Sequence, residues 1–363
     1  MGFRGVALNE KTLMRLKRHW SRLPAISVLR QAPMKRERSK MQKSEAVGAI
    51  PESGQSAEDR VYTFTIGICA TGRPPTLEPL LETTLVSEMP GFVLKKVVLV
   101  ASDCSEETLS SARRIAARDK RLRLIEHEKR TGKADAINEI FRETEGDFLV
   151  YVNADALIGV ESIPALLRSI TEDRGVGFIS GRPIFKGPKG LISEVLDVMW
   201  SSFSVLSSDP NRTKMSNHGT DELMAIRSEL LPELPPGVVN DGAYVAGRIR
   251  EMGYRVGYEP DAVVSIDVPR RMIDLIRQRR RILFGHIQVK RLVGKAPRTV
   301  ETMMFFSPFE SVKIVIKMLA SRPRRVLVLP VAAMGELIAL SGALWDTVVP
   351  NAGHAVWKRY EQG

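Results

Sequence analysis

From residue 62 onward, short apolar runs alternate with segments whose apolar residues recur every three or four positions. The apolar runs predict strands over 62–70, 96–101, 122–126 and 148–152. The segments of helical period predict helices over 77–87, 106–120 and 133–143. Further along, 222–226 is strand-like and 243–252 helix-like. This strand–helix alternation predicts an α/β class fold, a mostly parallel central sheet with flanking helices, both faces covered. In open sheets of this kind ligands gather beyond the carboxyl ends of the strands, so the polar residues that follow each strand are the first candidates for chemistry.

The ends of the chain read differently. Hydrophobic residues make up 44% and charged residues 26% of the 363 positions, which is ordinary globular composition. The net charge of +12 is concentrated at the start, where residues 1–43 carry twelve Lys and Arg against Glu10 and Glu37. The remainder is near neutral, which argues against a nucleic-acid-binding protein. A basic leader over 1–60, largely disordered, is expected, either attracted to an anionic membrane or simply solvated; an amphipathic helix over 7–30 is interrupted by Pro24. No secretory signal is expected there, because no long apolar stretch follows the basic start.

Segment 307–320 is amphipathic, and 326–350 is apolar and long enough to cross about 30 Å of hydrocarbon. Arg322, Arg324 and Arg325 just before it would put that side in the cytoplasm. A single membrane helix over 326–350 is therefore expected, although Glu336, Asp346 and Pro330 weigh against a span and leave an interfacial segment or a buried helix open. The expected division is therefore the leader 1–60, a catalytic domain over 61–290, and a membrane-associated helical tail over 291–363, the last placing the protein at the cell membrane as a single-pass or peripheral protein. Cys69 and Cys104, each in or just after an apolar run, make neither a disulfide framework nor a zinc site.

Four segments carry candidate chemistry. The strand ending at 152 runs into Asn153-Ala-Asp155, whose polar side chains share one face and suit Mg²⁺ or Mn²⁺ bridging to phosphate. Upstream, Thr131-Gly132-Lys133 opens a helix with a flexible glycine and a cation, an arrangement that favours phosphate. Downstream, Asn240-Asp241 stands at a helix start, where Asp241 is either a plain N-cap or a general base. Finally, Gln278-Arg-Arg280-Arg281-Ile lies in a basic run suited to stabilising a departing diphosphate. His218-Gly219, ahead of the strand at 222–226, are candidates for lining an acceptor.

In this order and spacing the chain resembles the family 2 glycosyltransferases over about residues 62–290. Thr65–Ala70 is similar to the family's first nucleotide-contacting strand, and Val100–Thr108 to its Asp-Asp-Gly-Ser segment. Thr131–Asn138 is similar to the Gly-Lys-Ala-x-Ala-Leu-Asn helix, Asn153–Asp155 to Asp-x-Asp, Asn240-Asp241 to Glu-Asp, and Gln278–Ile282 to Gln-x-x-Arg-Trp. The resemblance implies a GT-A fold that takes a nucleotide-diphosphate sugar, with a UDP-sugar favoured, and transfers the sugar with inversion to a glycan or lipid-linked hydroxyl. Asp155 would hold a divalent metal (Mg²⁺ or Mn²⁺). Asp241 would be the base, assisted by Arg281, Arg280 and Gln278. Ala70, Thr71, Ser102, Asp103, Lys133 and Asn153 would contact the donor. The departures are Asn153 and Asn240 in place of acidic residues and Ile282 in place of tryptophan, which speaks against processive synthesis. They also leave a catalytically silent, membrane-bound scaffold as the alternative.

Overall fold

The computed structural model describes residues 60–86, 89–186, 190–207, 218–299, 302–303 and 308–349. The leader up to residue 59, and with it the helix expected over 7–30, lies outside the described residues. The described residues form eight strands: β1 (Tyr62–Gly72), β2 (Phe92–Cys104), β3 (Leu122–His127), β4 (Phe148–Asn153), β5 (Leu157–Ile158), β6 (Val176–Lys186), β7 (Leu223–Arg227) and β8 (Arg255–Asp267). The helices are α1 (Leu77–Val86), α2 (Glu106–Arg118), α3 (Lys133–Glu143), α4 (Ser162–Glu172), α5 (Leu191–Ser207), α6 (Asp241–Glu251), α7 (Met272–Val293), α8 (Pro308–Ser321) and α9 (Leu329–Val348).

All eight strands join one sheet in the order β3-β2-β1-β4-β7-β6-β8-β5. The first four are parallel, as the alternation of strands and helices predicts. β7 then runs antiparallel to both β4 and β6, β8 is parallel to β6, and β5 closes the far edge antiparallel to β8. Alternate residues of the central strands enter two different cores. Phe64, Ile66, Ile68 and Val150 face α1 and α4, whereas Leu149, Tyr151, Met224 and Ile226 face α3, α6 and the end of α7. Both faces being dry is why these strands read as unbroken apolar runs.

The strand and helix bounds differ from the sequence reading mainly at polar ends. β2 extends over Phe92–Cys104, well past the apolar 96–101, because Phe92, Val93, Leu94 and Ser102 also pair with β1, the register shifting at Lys95. The stretch from β5 to α5 carries no clean period in sequence. α4 is an amphipathic helix packed on β8 and β6, but Pro164 in its first turn and the two-residue β5 beside it blur the pattern. α7 runs on to Val293 and stops at left-handed Gly294, so the expected boundary at residue 290 falls inside the helix. α9 matches the expected apolar segment but starts at Leu329. Its carboxylates are both paired: Arg279 of α7 donates twice to Glu336, at 2.6 and 3.2 Å, and Arg280 twice to Asp346, at 2.6 and 2.5 Å.

Candidate active site

The carboxyl end of β4 and the amino end of β7 meet side by side because the two strands are antiparallel. The Asn153 backbone N–H donates to the Glu222 carbonyl at 3.2 Å, which places Asp221 and Glu222 next to Asn153 and the Asp155 turn. α3 points its first turn at the same place. Gly132, at φ +123°, lets the chain turn sharply into the helix, and its amides have no side-chain cap. The following Lys133 Nζ lies 3.0 Å from Asp241 Oδ2 and is also paired with Asp221. It sits over the Tyr151 ring, 5.6 Å from the centroid, and the Tyr151 hydroxyl donates to Asn153 Oδ1 at 3.1 Å.

Asp241 opens α6, where the preceding Asn240 caps the helix by accepting from the Ala243 amide at 3.1 Å. It is only 2% exposed. Two contacts from α7 hold it in place. The Gln288 side chain accepts from Val239 N and donates to Gly237 O, both at 2.9 Å, which pins the approach loop. Gly285 packs so closely that an added Cβ would lie 2.7 Å from Asn240 Cβ. Gly285→Ala is therefore expected to be destabilising. The gain in helix propensity of about 1 kcal/mol is outweighed by overpacking of about 1–3 kcal/mol. Activity should fall more than stability, because the displaced part carries Asp241; thermal melts alongside initial rates check this.

Electrostatics separates the acidic groups. Burial pushes the Asp241 carboxyl up to about 6, against the pull of Lys133. Burial pushes Glu222 up to about 8, with the charges of Asp221 and Asp155 adding to it. Asp221 is held below its ordinary value by Lys133 and, more weakly, by Arg281, despite its desolvation. Burial also drives the Cys69 thiol up to about 12 and that of Cys104 up to about 11, so neither is a thiolate nucleophile at neutral pH.

A second corner forms where β1, β2 and β3 end. Thr71 pairs with Ser102, and Ser102 with His127. Arg130 donates to Thr71 Oγ1 at 2.6 Å and reaches Asp103 Oδ2 at 3.5 Å. Asp103 adopts φ +53°, a left-handed conformation that aspartate tolerates better than most residues and that clusters at binding sites. Thr71, Ser102 and Asp103 are thus brought together, with Arg130 as the addition. Ala70 is buried beneath them.

Other candidates lie elsewhere. Arg280 is engaged by Asp346, and Gln278 lies partly buried on the same helix, so Arg281 is the member of that run whose charge reaches the acidic cluster. His218 Nε2 is 3.0 Å from His286 Nε2, and its ring packs edge-on to Phe203. Burial and the neighbouring His218 hold His286 far below the usual imidazole range, which keeps the His286 ring neutral. Gly219 lies against the Phe178 ring, with no room for a side chain.

Among the described residues no group of three or more His, Cys, Asp or Glu side chains gathers as a metal cage. Asp155 and Asn153 are nevertheless hard oxygen donors at one strand end, and Glu222 Oε2 beside them is buried without a hydrogen-bond partner. This donor set fits a divalent cation that takes its remaining ligands from a substrate phosphate.

Residues 65–233, from β1 through β7 and just beyond, match the family described as Glycosyl transferase family 2. These residues are a family 2 glycosyltransferase domain. The match ends before Asp241, so the α6 and α7 parts of the site lie outside it. Poly-beta-1,6-N-acetyl-D-glucosamine synthase of Staphylococcus aureus is 17% identical to this chain over 235 residues, 64% of this chain and 56% of the relative. The synthase of the same description from Staphylococcus epidermidis is 17% identical over 263 residues, 71% of this chain and 63% of the relative. The chain thus spans less than two thirds of the length of these relatives. A mannosyltransferase from Pyrobaculum calidifontis, solved with GDP-Man and Mn²⁺, shares the fold at a TM-score of 0.55 and 21% identity, covering 94% of each chain.

Proposed function

We propose that this glycosyltransferase transfers a sugar from a nucleotide-diphosphate donor to the hydroxyl of a glycan or lipid-linked acceptor, in one inverting displacement with Asp241 as the base. The observation that carries the reading is a buried carboxyl, pushed up to about 6, at the carboxyl edge of the sheet and 3.0 Å from a lysine. A base with that affinity for protons is ionised at neutral pH yet accepts a proton readily. Lys133 orients it and keeps it ionised. Thr71, Ser102 and Asp103 line the corner where the nucleoside would rest, and the uncapped amides of α3 face the diphosphate. Arg281 supplies positive charge as the diphosphate departs. A divalent metal held by Asp155 with Asn153 would neutralise charge building on the leaving group.

The names of the relatives suggest an N-acetylglucosamine polymer, and the solved neighbour a GDP-sugar, so the donor nucleotide is the first thing to determine. Binding of UDP-, GDP- and dTDP-sugars, with and without Mn²⁺, is expected to single out one class. Asp155→Ala is expected to weaken the metal-dependent part at least about tenfold. Equal binding by wild type and Asp155→Ala would remove Asp155 from the metal site.

Asp221 favours a second reading. It is a low-pKa carboxylate in the same cluster, and a retaining double displacement needs such a nucleophile. The anomeric configuration of the first-formed product, followed by NMR, separates the two: inversion supports Asp241 as base in a single step, and retention assigns Asp221 the nucleophile's role.

A further inference from the structure

We propose that α9 does not cross the membrane, and that α8 and α9 instead form a monotopic platform lying flat on an anionic bilayer. This rests on the reading that a membrane is a partner of this enzyme, and it specifies how the two meet. By length and composition α9 qualifies as a span, but its packing is incompatible with one. α9 runs beside α7 in the same direction: Gly335 faces Ile276, Gly342 faces Arg280, and Ala339 and Ala343 pack with Leu283 and Ile287. The bidentate pairs of Glu336 with Arg279 and of Asp346 with Arg280 tie two points of α9, ten residues apart, to adjacent arginines of α7.

Any slab of hydrocarbon enclosing α9 would therefore also enclose the Arg277–Arg281 stretch of α7, and arginines at a bilayer centre are strongly disfavoured. α7 in turn enters the catalytic core through Val289 and Val293, so it cannot follow α9 across. Burial of Glu336 and Asp346 against arginine explains why an apolar helix keeps two carboxylates without placing them in lipid.

What α9 leaves uncovered is one apolar stripe. Met334 (59% exposed), Leu337 (58%), Ile338 (51%), Trp345 (64%) and Val348 (65%) follow helical spacing. α8 exposes a similar stripe at Phe309 (84%), Val312 (55%) and Ile316 (59%). Lys317 and Lys313, the latter paired with Glu310, stand beside it, and Arg324 and Arg322, the latter at 3.4 Å from Asp197, are exposed at the connection to α9. Exposed apolar residues set among cations are the chemistry of a helix lying in the headgroup region of an anionic membrane. The same cations disfavour a second copy of the chain as the occupant, because a two-fold interface would bring like charges together.

The test uses the full chain, purified in detergent and reconstituted with sealed vesicles of phosphatidylcholine and phosphatidylglycerol. Single added cysteines, Val326→Cys before α9 and Val349→Cys after it, are probed with a membrane-impermeant maleimide, with the unsubstituted chain as background. Labelling of both from the same side before lysis is expected. Labelling of one only after lysis means a span and overturns the proposal while leaving the membrane reading intact. Failure to bind vesicles at all overturns both. As a second measurement, the doubly exposed Leu337→Glu/Ile338→Glu variant is expected to lose at least tenfold in vesicle partitioning with donor binding unchanged. Unchanged partitioning, or a wild-type dimer that these substitutions dissociate, overturns the platform.

Discussion

Asp241→Asn is expected to lower the transfer rate by about 10²–10⁴-fold, the range that a positioned general base contributes, with donor binding retained. The substitution keeps the shape of the side chain at the first position of α6 and leaves the Asn240 cap untouched. It removes the proton acceptor together with the negative charge that faces Lys133. The wild-type enzyme should show an acid limb in kcat/KM, falling below pH about 6 as the carboxyl takes up its proton. The residual rate of the variant should lack that limb. Stability moves the other way. The folded-state affinity of Asp241 for protons lies above its ordinary value of 3.8, so the folded state binds more protons than the unfolded state between pH about 4 and 6. Its contribution is thus most favourable below that window and is lost as pH rises through it. At pH 7 the asparagine variant should melt no lower than wild type, which separates a chemical role from a structural one. A variant with unchanged rate, or one that keeps the acid limb, would remove Asp241 from catalysis.

Lys133→Met is expected to do the opposite and destabilise the fold itself. It leaves Asp241 buried, and Asp221 largely so, without their shared counter-ion. Breaking a buried ion pair costs about 3–5 kcal/mol. The lower end applies here, because the Lys133 and Asp221 side chains remain 28% and 27% exposed. At about 2–4 °C for each kcal/mol in a domain of this size, a fall in Tm of about 6–12 °C should be seen at pH 8. Lysine gains affinity for protons in the folded state from these two carboxylates, so its stabilising contribution is fully present at neutral pH and fades only at strongly alkaline pH. Once lysine is gone, the carboxylates themselves can protonate, and the deficit should shrink as pH falls toward 5. Methionine preserves the packing on Tyr151, so a Tm equal to wild type at both pH values would show that Lys133 is not the counter-ion of this cluster.

The parallel half of the sheet and its helices were legible because each element carries a strong local period. α3 is the clearest case, with Ala134, Ala136, Ile137 and Ile140 buried on one side and its bounds those expected from the spacing. The Lys133–Asp241 contact was only half legible. Each residue stands at a helix start in sequence, but nothing in the spacing says that two helix starts 108 positions apart converge. Asp221 and Glu222 were missed for a definite reason. A search of residues that follow strands finds the active edge of a parallel sheet, but β7 is antiparallel and brings the residues that precede it to that edge. Paired acids just ahead of an apolar strand were the available signal.

Side-chain periodicity, the punctuation by glycine and polar residues, and the order of the motifs determined the α/β class, the family and most of the candidate residues, because those depend on neighbours within a turn or a strand. Tertiary structure alone decided the partners of the charges. Arg280 was a candidate for the diphosphate until α9 packed beside α7 and Asp346 claimed it, and Glu336, which in the sequence only weighed against a span, found its partner when Arg279 met it. A charge in a sequence has a sign but no partner. Only packing, which sets what is desolvated together, makes it a base, a counter-ion or a clamp.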